Sequence, residues 1–173
     1  MTGPASARDP VRAADRAPEP RTLVDVFAAT VAAYPRRVAI DDGDEVLTYA
    51  ALDKAVAALA RRLAEAGVGP GDRVGVRASS GTVGLYVSIL AVLHSGAAYV
   101  PVDADDPEDR ARSVFARARV HVVLGDGPEL RRVGGGSVPR RPGRQPRRPS
   151  LDDDAWIIFT SGSTGEPKGV AVS

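Results

Sequence analysis

Residues 156–170 read WIIFTSGSTGEPKGV, and this stretch carries the strongest indication of the fold. Its first residues are bulky and β-branched, which predicts a buried strand from Trp156 to Phe159. Glycines and hydroxylated residues follow the strand, and a proline and a lysine end the motif. Gly162, Gly165 and Gly169 are interpreted as glycines that take positive φ and let the backbone approach a ligand. Backbone N–H groups and hydroxyls in such a turn can bind an anion, so the stretch predicts a phosphate-binding loop.

The lysine of this loop is unusual for the composition. The chain has 23 lysines and arginines together, but only Lys54 and Lys168 are lysines. A lysine ammonium is a compact charge on a flexible stem, whereas arginine is a planar fork, so this choice indicates a functional role. The candidate phosphate-binding residues are Thr160, Ser161, Gly162, Ser163, Thr164, Gly165 and Lys168.

Two better-known loop motifs do not fit these residues. A P-loop requires G-x-x-x-x-G-K-[ST], but Pro167 occupies the second glycine position and Gly169 follows Lys168. A nucleophile elbow requires G-x-S-x-G, and no serine here has glycines at both spacings. A Ser/Gly/Thr-rich segment is often a flexible loop without a ligand. The ordered motif after a strand favours a phosphate site over that interpretation.

At residues 160–169 the chain resembles the adenylate-forming enzymes, which include acyl-CoA synthetases, luciferases and nonribosomal peptide synthetase adenylation domains. Their signature, TSG-[ST]-TG-x-PKG after an apolar strand, is matched without a gap. Upstream, LTYAAL at 47–52 resembles L-[TS]-Y-x-E-L, and SGAAYVPVD at 95–103 resembles the G-x-A-Y-V-P-[IL]-D motif of peptide synthetases. The resemblance covers residues 22–173 and favours the adenylation-domain branch. The phrases DDDAWIIFTSGSTG and VPVDADDP are similar to the poly-lysine-synthetase-like group.

The resemblance implies a two-step reaction. ATP with Mg²⁺ and a carboxylic acid, here an amino acid, would give an acyl-adenylate and pyrophosphate. The acyl group would then pass to a thiol, such as the phosphopantetheine arm of a carrier protein. Residues 160–165 would orient the leaving pyrophosphate, and Lys168 would neutralise its charge.

In the family, the acid pocket, the Mg²⁺ ligands and the catalytic lysine follow this loop. We therefore expect no catalytic residue and no metal ligand within residues 1–173, and no adenylation activity of the isolated chain. Two alternatives stay open. One is a fragment of an acyl-CoA or aryl-acid ligase, with the same loop and a different acid. The other is a non-catalytic remnant that keeps only the phosphate-binding loop.

The composition excludes several other classes of protein. The net charge of +1 and the lack of aromatic residues among the arginines of 140–148 argue against nucleic-acid binding. No cysteine is present, so disulfides and thiolate sites are excluded. The longest apolar stretch, residues 83–93, is too short to cross a bilayer. We expect a cytoplasmic protein with no membrane association.

Hydrophobic periodicity predicts an α/β fold, a partial, mostly parallel sheet flanked by helices. Residues 1–21 are expected to be disordered, residues 22–173 to form the adenylation-type domain, and residues 125–150 to be a flexible basic linker. Asp106 is expected to cap a helix, and residues 152–154 to form a solvated turn. A sheet without its later strands would leave an unpaired edge and low solubility. The predicted helices span residues 22–34, 50–66 and 82–93, with another from 106, and the strands span 38–40, 46–49, 73–77, 97–102 and 120–124.

Overall fold

The structure, a computed structural model, describes residues 19–125, 129–133, 147–161 and 167–173. The segment predicted to be disordered lies outside the described residues up to position 18, as do most of the predicted linker and the centre of the phosphate loop. The described residues form α1 (Leu23–Ala33), β1 (Val38–Asp41), β2 (Val46–Thr48), α2 (Tyr49–Glu65), β3 (Arg73–Ala78), α3 (Val83–His94), β4 (Ala98–Asp103), α4 (Glu108–Arg117), β5 (Val122–Leu124), β6 (Leu130–Arg132), β7 (Trp156–Ser161) and β8 (Pro167–Val172).

Six of these strands form one sheet in the order β6-β5-β3-β4-β7-β8. The inner neighbours β5, β3, β4 and β7 run parallel to one another, and β6 and β8 are antiparallel strands at the two edges. β1 and β2 pair separately as an antiparallel hairpin. The predicted α/β fold with a mostly parallel sheet flanked by helices is confirmed.

The core has two layers, one on each face of the sheet. Alternate residues of β3 and β5, such as Val76 and Leu124, pack with α2 and α3 in a first cluster. Val123 of β5 and Val100 of β4 pack instead with α4 in a second cluster. Because successive side chains of a strand point to opposite faces, β5 contributes to both layers. Ile157 ties β7 to the second cluster.

Three of the helices begin at threonines whose hydroxyls accept a backbone N–H. Thr22 accepts from Asp25 in a full capping box, and Thr48 and Thr82 cap α2 and α3. Asp42, in the β1–β2 turn, accepts a further hydrogen bond of 2.8 Å from the amide of Val83 in α3. This bond lowers the pKa of the Asp42 carboxyl, and it fixes the small hairpin to the start of α3.

The predicted cap of α4 is wrong. The N-cap residue is Pro107, and it makes no side-chain capping bond. The Asp106 carboxylate accepts instead from Nε of Arg110 at 3.0 Å, one turn into the helix. The Asp106 carboxylate is therefore paired with Arg110 and, contrary to the prediction from the sequence, does not cap the amides of the helix.

Three further details of the fold were not predicted. Pro167 and Lys168, which were expected in the phosphate-binding loop, lie at the start of the strand β8. β6 lies inside the segment 125–150, where it pairs with β5 as a short edge strand. Asp153 is not simply a solvated turn residue, because it accepts from both terminal nitrogens of Arg147 and from the amide of Ser150. The paired Arg147 lowers the pKa of Asp153 well below its usual range. Among the described residues, no helix is long and apolar enough to cross a membrane.

Candidate phosphate-binding site

The candidate loop connects the last two strands of the sheet as a hairpin. β7 and β8 pair from Trp156↔Val172 up to Thr160↔Lys168 and Ser161↔Pro167. β7 is parallel to β4, so the hairpin turns at the edge of the sheet where the parallel strands end. Ligands of open α/β sheets bind at this carboxyl edge. Residues 162–166 lie outside the described residues. The residues on either side of them, Ser161 and Pro167, are paired across the two strands.

The structure therefore places three of the predicted site residues and leaves four outside its described part. Thr160 and Ser161 end β7, and Lys168 lies directly opposite Thr160. Gly162, Ser163, Thr164 and Gly165 lie outside the described residues.

Thr160 and Lys168, which face each other across the hairpin, are accessible to a ligand. The side chains of Thr160 and Lys168 are exposed, and directly opposite residues of a hairpin share one face of the sheet. Within the described part of the chain, neither side chain is engaged in an ion pair or a hydrogen bond. A hydroxyl donor and an ammonium group are thus available side by side at the mouth of the loop.

The expectation that Gly169 takes a positive φ is wrong. Its φ is not positive, unlike that of Gly43 or Gly81, so its backbone is one that any residue adopts. A Cβ atom on Gly169 would instead lie 2.9 Å from Cζ of Phe159, the residue opposite it. Gly169 therefore accommodates an aromatic ring of its own hairpin.

Sequence reasoning missed a second cation at the carboxyl edge, Arg77 at the end of β3. Its guanidinium pairs with Glu108 and donates to the carbonyl oxygen of Asp106 at 2.8 Å. This pairing lowers the pKa of the Glu108 carboxyl. Arg77 thus holds the turn after β4 against α4, and its charge is already matched. In the sequence, the only sign of this contact was an arginine near the end of a predicted strand.

The described residues show no metal-ligand cluster, and an apolar cavity lies away from the loop. No group of three or more histidines, aspartates or glutamates in the described ranges is arranged to hold a metal ion. A cavity of about 260 Å³ lies between α1, the end of α3 and the start of β7, and it is lined by Leu23, Leu93 and Trp156. Trp156 and Ser161 are five residues apart on β7, about 17 Å along the strand. The cavity is therefore separate from the phosphate loop.

Comparison with known proteins identifies related sequences and folds. The family profile described as AMP-binding enzyme matches residues 27–173. Bacitracin synthase 1 of Bacillus licheniformis is 36% identical over 163 residues, which are 92% of this chain and 3% of that protein. The N-terminal subdomain of Klebsiella oxytoca NpsA, solved in complex with 3-hydroxyanthranilyl-AMSN, is 29% identical with a TM-score of 0.71.

The alignments span only part of these relatives. The NpsA match covers 86% of this chain and 39% of the solved one. An artificially fused adenylation–PCP di-domain of the same organism, NpsA-ThdA, is 31% identical with a TM-score of 0.70, over 86% of this chain and 32% of the fusion. The chain thus spans about two fifths, or less, of each of these three proteins.

Proposed function

Because this chain belongs to the AMP-binding enzyme family, we propose that its β7–β8 hairpin binds the phosphates of ATP during formation of an acyl-adenylate. The observation that carries this proposal is the pairing of Thr160 with Lys168 across the hairpin, at the carboxyl edge of the sheet. Both side chains are exposed, and the loop between them supplies glycines and hydroxyls. An anionic ligand at this position would meet a positive charge, rotatable donors and backbone amides.

The proposed roles follow from the chemistry of each group. The Lys168 ammonium would offset the charge that develops on the β- and γ-phosphates as pyrophosphate leaves. Thr160, Ser161, Ser163 and Thr164 would donate hydroxyl hydrogens, and Gly162 and Gly165 would let the backbone approach the phosphates. Mg²⁺ in nucleotide sites is held largely by phosphate oxygens and water, so we assign it to the bound ATP and to no described residue.

The complete reaction is proposed for a protein that contains the remaining part of the fold. There, a carboxylic acid would attack the α-phosphate, giving the acyl-adenylate and pyrophosphate. An amino acid is the proposed substrate, because the similarity to bacitracin synthase 1 extends over nearly the whole chain. The phosphopantetheine thiol of a carrier protein would then attack the acyl carbon, forming the thioester and releasing AMP. The fusion of NpsA to a PCP domain supports a carrier protein as the partner.

An aryl acid is the second candidate substrate. NpsA, whose N-terminal subdomain has the same fold as this chain, was solved with a 3-hydroxyanthranilyl compound. Pyrophosphate exchange by the longer protein, assayed with a panel of amino acids and of aryl acids, distinguishes the two candidates. Exchange that depends on aryl acids alone would refute the amino-acid assignment.

Phosphate binding itself is tested on the chain by equilibrium dialysis with Mg-ATP and with Mg-pyrophosphate. We expect Lys168→Ala to weaken binding about tenfold to a hundredfold, because a hydrogen bond to a charged group contributes about 1.5–3 kcal/mol. Lys54→Ala is the matched control, since it removes the only other lysine from an exposed position on α2. Equal binding by wild type and Lys168→Ala, or an equal loss in both variants, would contradict the proposal.

A further inference from the structure

We propose that Phe159 is a positioning residue of the phosphate loop, and that Gly169 is required because the Phe159 ring lies across it. The proposal rests on the function proposed above and assigns a role to two residues that would not touch the ligand. It explains a glycine of the loop motif by a contact within the hairpin rather than by contact with phosphate.

The geometry of the contact supports this assignment. Phe159 and Gly169 are directly opposite in the register of the hairpin. A Cβ atom on Gly169 would lie 2.9 Å from Cζ of Phe159 and 3.2 Å from both Cε atoms. Since Cβ atoms essentially never approach other atoms within 3.0 Å, either the ring or the strand must move when a side chain is added. An aromatic ring over a cross-strand glycine is also a known way to fix strand register.

The ring connects the hairpin to the core. Phe159 is half-buried and packs against the second cluster, which Ile157 joins from the same strand. The ring therefore lies against Gly169 of β8 and also packs against the second cluster. In the described part of the chain β8 has a single strand neighbour, β7. Among the contacts that the structure describes, the β7 ladder and this ring both hold β8.

The contact lies immediately next to the proposed binding groups. Thr160 and Lys168 form the next register pair toward the loop. Side chains alternate between the faces of a strand, so the ring occupies one face and these two side chains occupy the other. The ring can therefore hold the backbone of both strands without obstructing a ligand. A binding group keeps its affinity only when its supporting contacts hold it in place.

The test is a double-mutant cycle of Gly169→Ala and Phe159→Ala, measured by Mg-ATP affinity and by amide hydrogen exchange of the β7–β8 ladder. We expect each single variant to weaken Mg-ATP binding about tenfold and to speed exchange in the ladder. In the Phe159→Ala background, adding Gly169→Ala should cost no further affinity, because the ring that it would meet is gone. Phe159→Tyr should keep the affinity of wild type.

Several results would overturn the proposal. If Gly169→Ala weakens Mg-ATP binding by the same factor in both backgrounds, the glycine is needed for ligand contact or backbone conformation and not for the ring. If Phe159→Ala binds Mg-ATP as tightly as wild type, the ring has no positioning role. Failure of the proposed function looks different: wild type binds no Mg-ATP, yet the exchange data still show coupling between the two residues. In that case the ring fixes the hairpin for its fold alone.

Gly75→Ala is the control for a purely structural effect. A Cβ atom there would lie 2.8 Å from Cε1 of Phe115, so the same type of contact occurs between β3 and α4. This variant should lower the stability of the whole fold without a selective increase of exchange in the β7–β8 ladder. A ladder effect as large as that of Gly169→Ala would show that general destabilisation, and not the Phe159 ring, accounts for the loss of binding.

Discussion

Replacing Leu63 by alanine tests whether β7, the strand that carries the proposed phosphate loop, is stabilised by the distant core. Leu63 lies near the end of α2 in the first cluster and is 0% exposed. The loop-bearing strand β7 contributes Ile157 to the second cluster, on the other face of the sheet. The two layers share β3, β4 and β5, so we expect a defect in one layer to destabilise the other.

The expected magnitude follows from the complete burial of this side chain. Removing three carbons loses about 2.4 kcal/mol at about 0.8 kcal/mol for each buried methylene. Packing from α3 and the sheet limits collapse around the site, and the remaining cavity brings the total to about 3–4 kcal/mol. Globular domains are stable by about 5–15 kcal/mol, so this is a large part of the total. Leu151→Ala is the matched control, because Leu151 is 49% exposed and its loss should cost about 0.5 kcal/mol or less.

The assay is urea unfolding at low protein concentration, followed by circular dichroism and by tryptophan fluorescence. Trp156 is the only tryptophan and begins β7, with its ring centroid 6.2 Å from that of Tyr99, so its emission reports on the loop-bearing strand. Both signals should shift to lower urea by the same free energy in Leu63→Ala. A loss below about 1 kcal/mol, or a shift in circular dichroism with no shift in fluorescence, would refute the reasoning.

Two further predictions concern the turn before β7 and the free edge of the sheet. Asp153→Asn should lower stability at pH 6, because Arg147 lowers the pKa of the folded Asp153 carboxyl well below its unfolded value of about 3.9. The difference from wild type should begin to shrink as pH falls through about 4 and should keep shrinking down to the lowered folded pKa. A difference that is constant with pH in urea unfolding would contradict this. Val170→Lys should reduce concentration-dependent association in sedimentation experiments, because Val170 is 54% exposed on the edge strand β8, opposite Ile158. Unchanged sedimentation would show that this edge does not associate.

Hydrophobic periodicity was sufficient to predict most of the elements, because each depends on neighbours in the sequence. The helix predicted at 50–66 is observed as Tyr49–Glu65, and the strand at 73–77 as Arg73–Ala78. β6 was not predicted, since a short and largely polar edge strand shows no apolar alternation. Its position is decided by pairing with β5, and a local pattern contains no information about that partner.

The errors at the site have the same origin. Gly169 was interpreted from the general conformational freedom of glycine, but its role depends on a ring ten residues earlier that register places opposite it. Arg77 contacts Glu108, which is 31 residues away in the sequence. In contrast, Lys168 is predicted from a composition signal, the rarity of lysine in this chain, and its phosphate-binding role stays a prediction; the structure places it opposite Thr160.

The alternation of β7 separates the residues that hold the fold from those that are free to bind. The odd-numbered residues Ile157 and Phe159 pack toward the α4 layer, whereas Ile158 and Thr160 are exposed on the opposite face. Substitutions at the odd positions should therefore change both stability and ligand affinity, since they move the backbone that carries the loop. A substitution at Thr160 should change affinity with little effect on stability. A shift of the β7–β8 register by one residue would exchange these two faces. The contact of the Phe159 ring with Gly169 opposes such a shift one residue pair from the loop. We therefore expect it to matter more for the position of Thr160 and Lys168 than the same contact would farther along the strand.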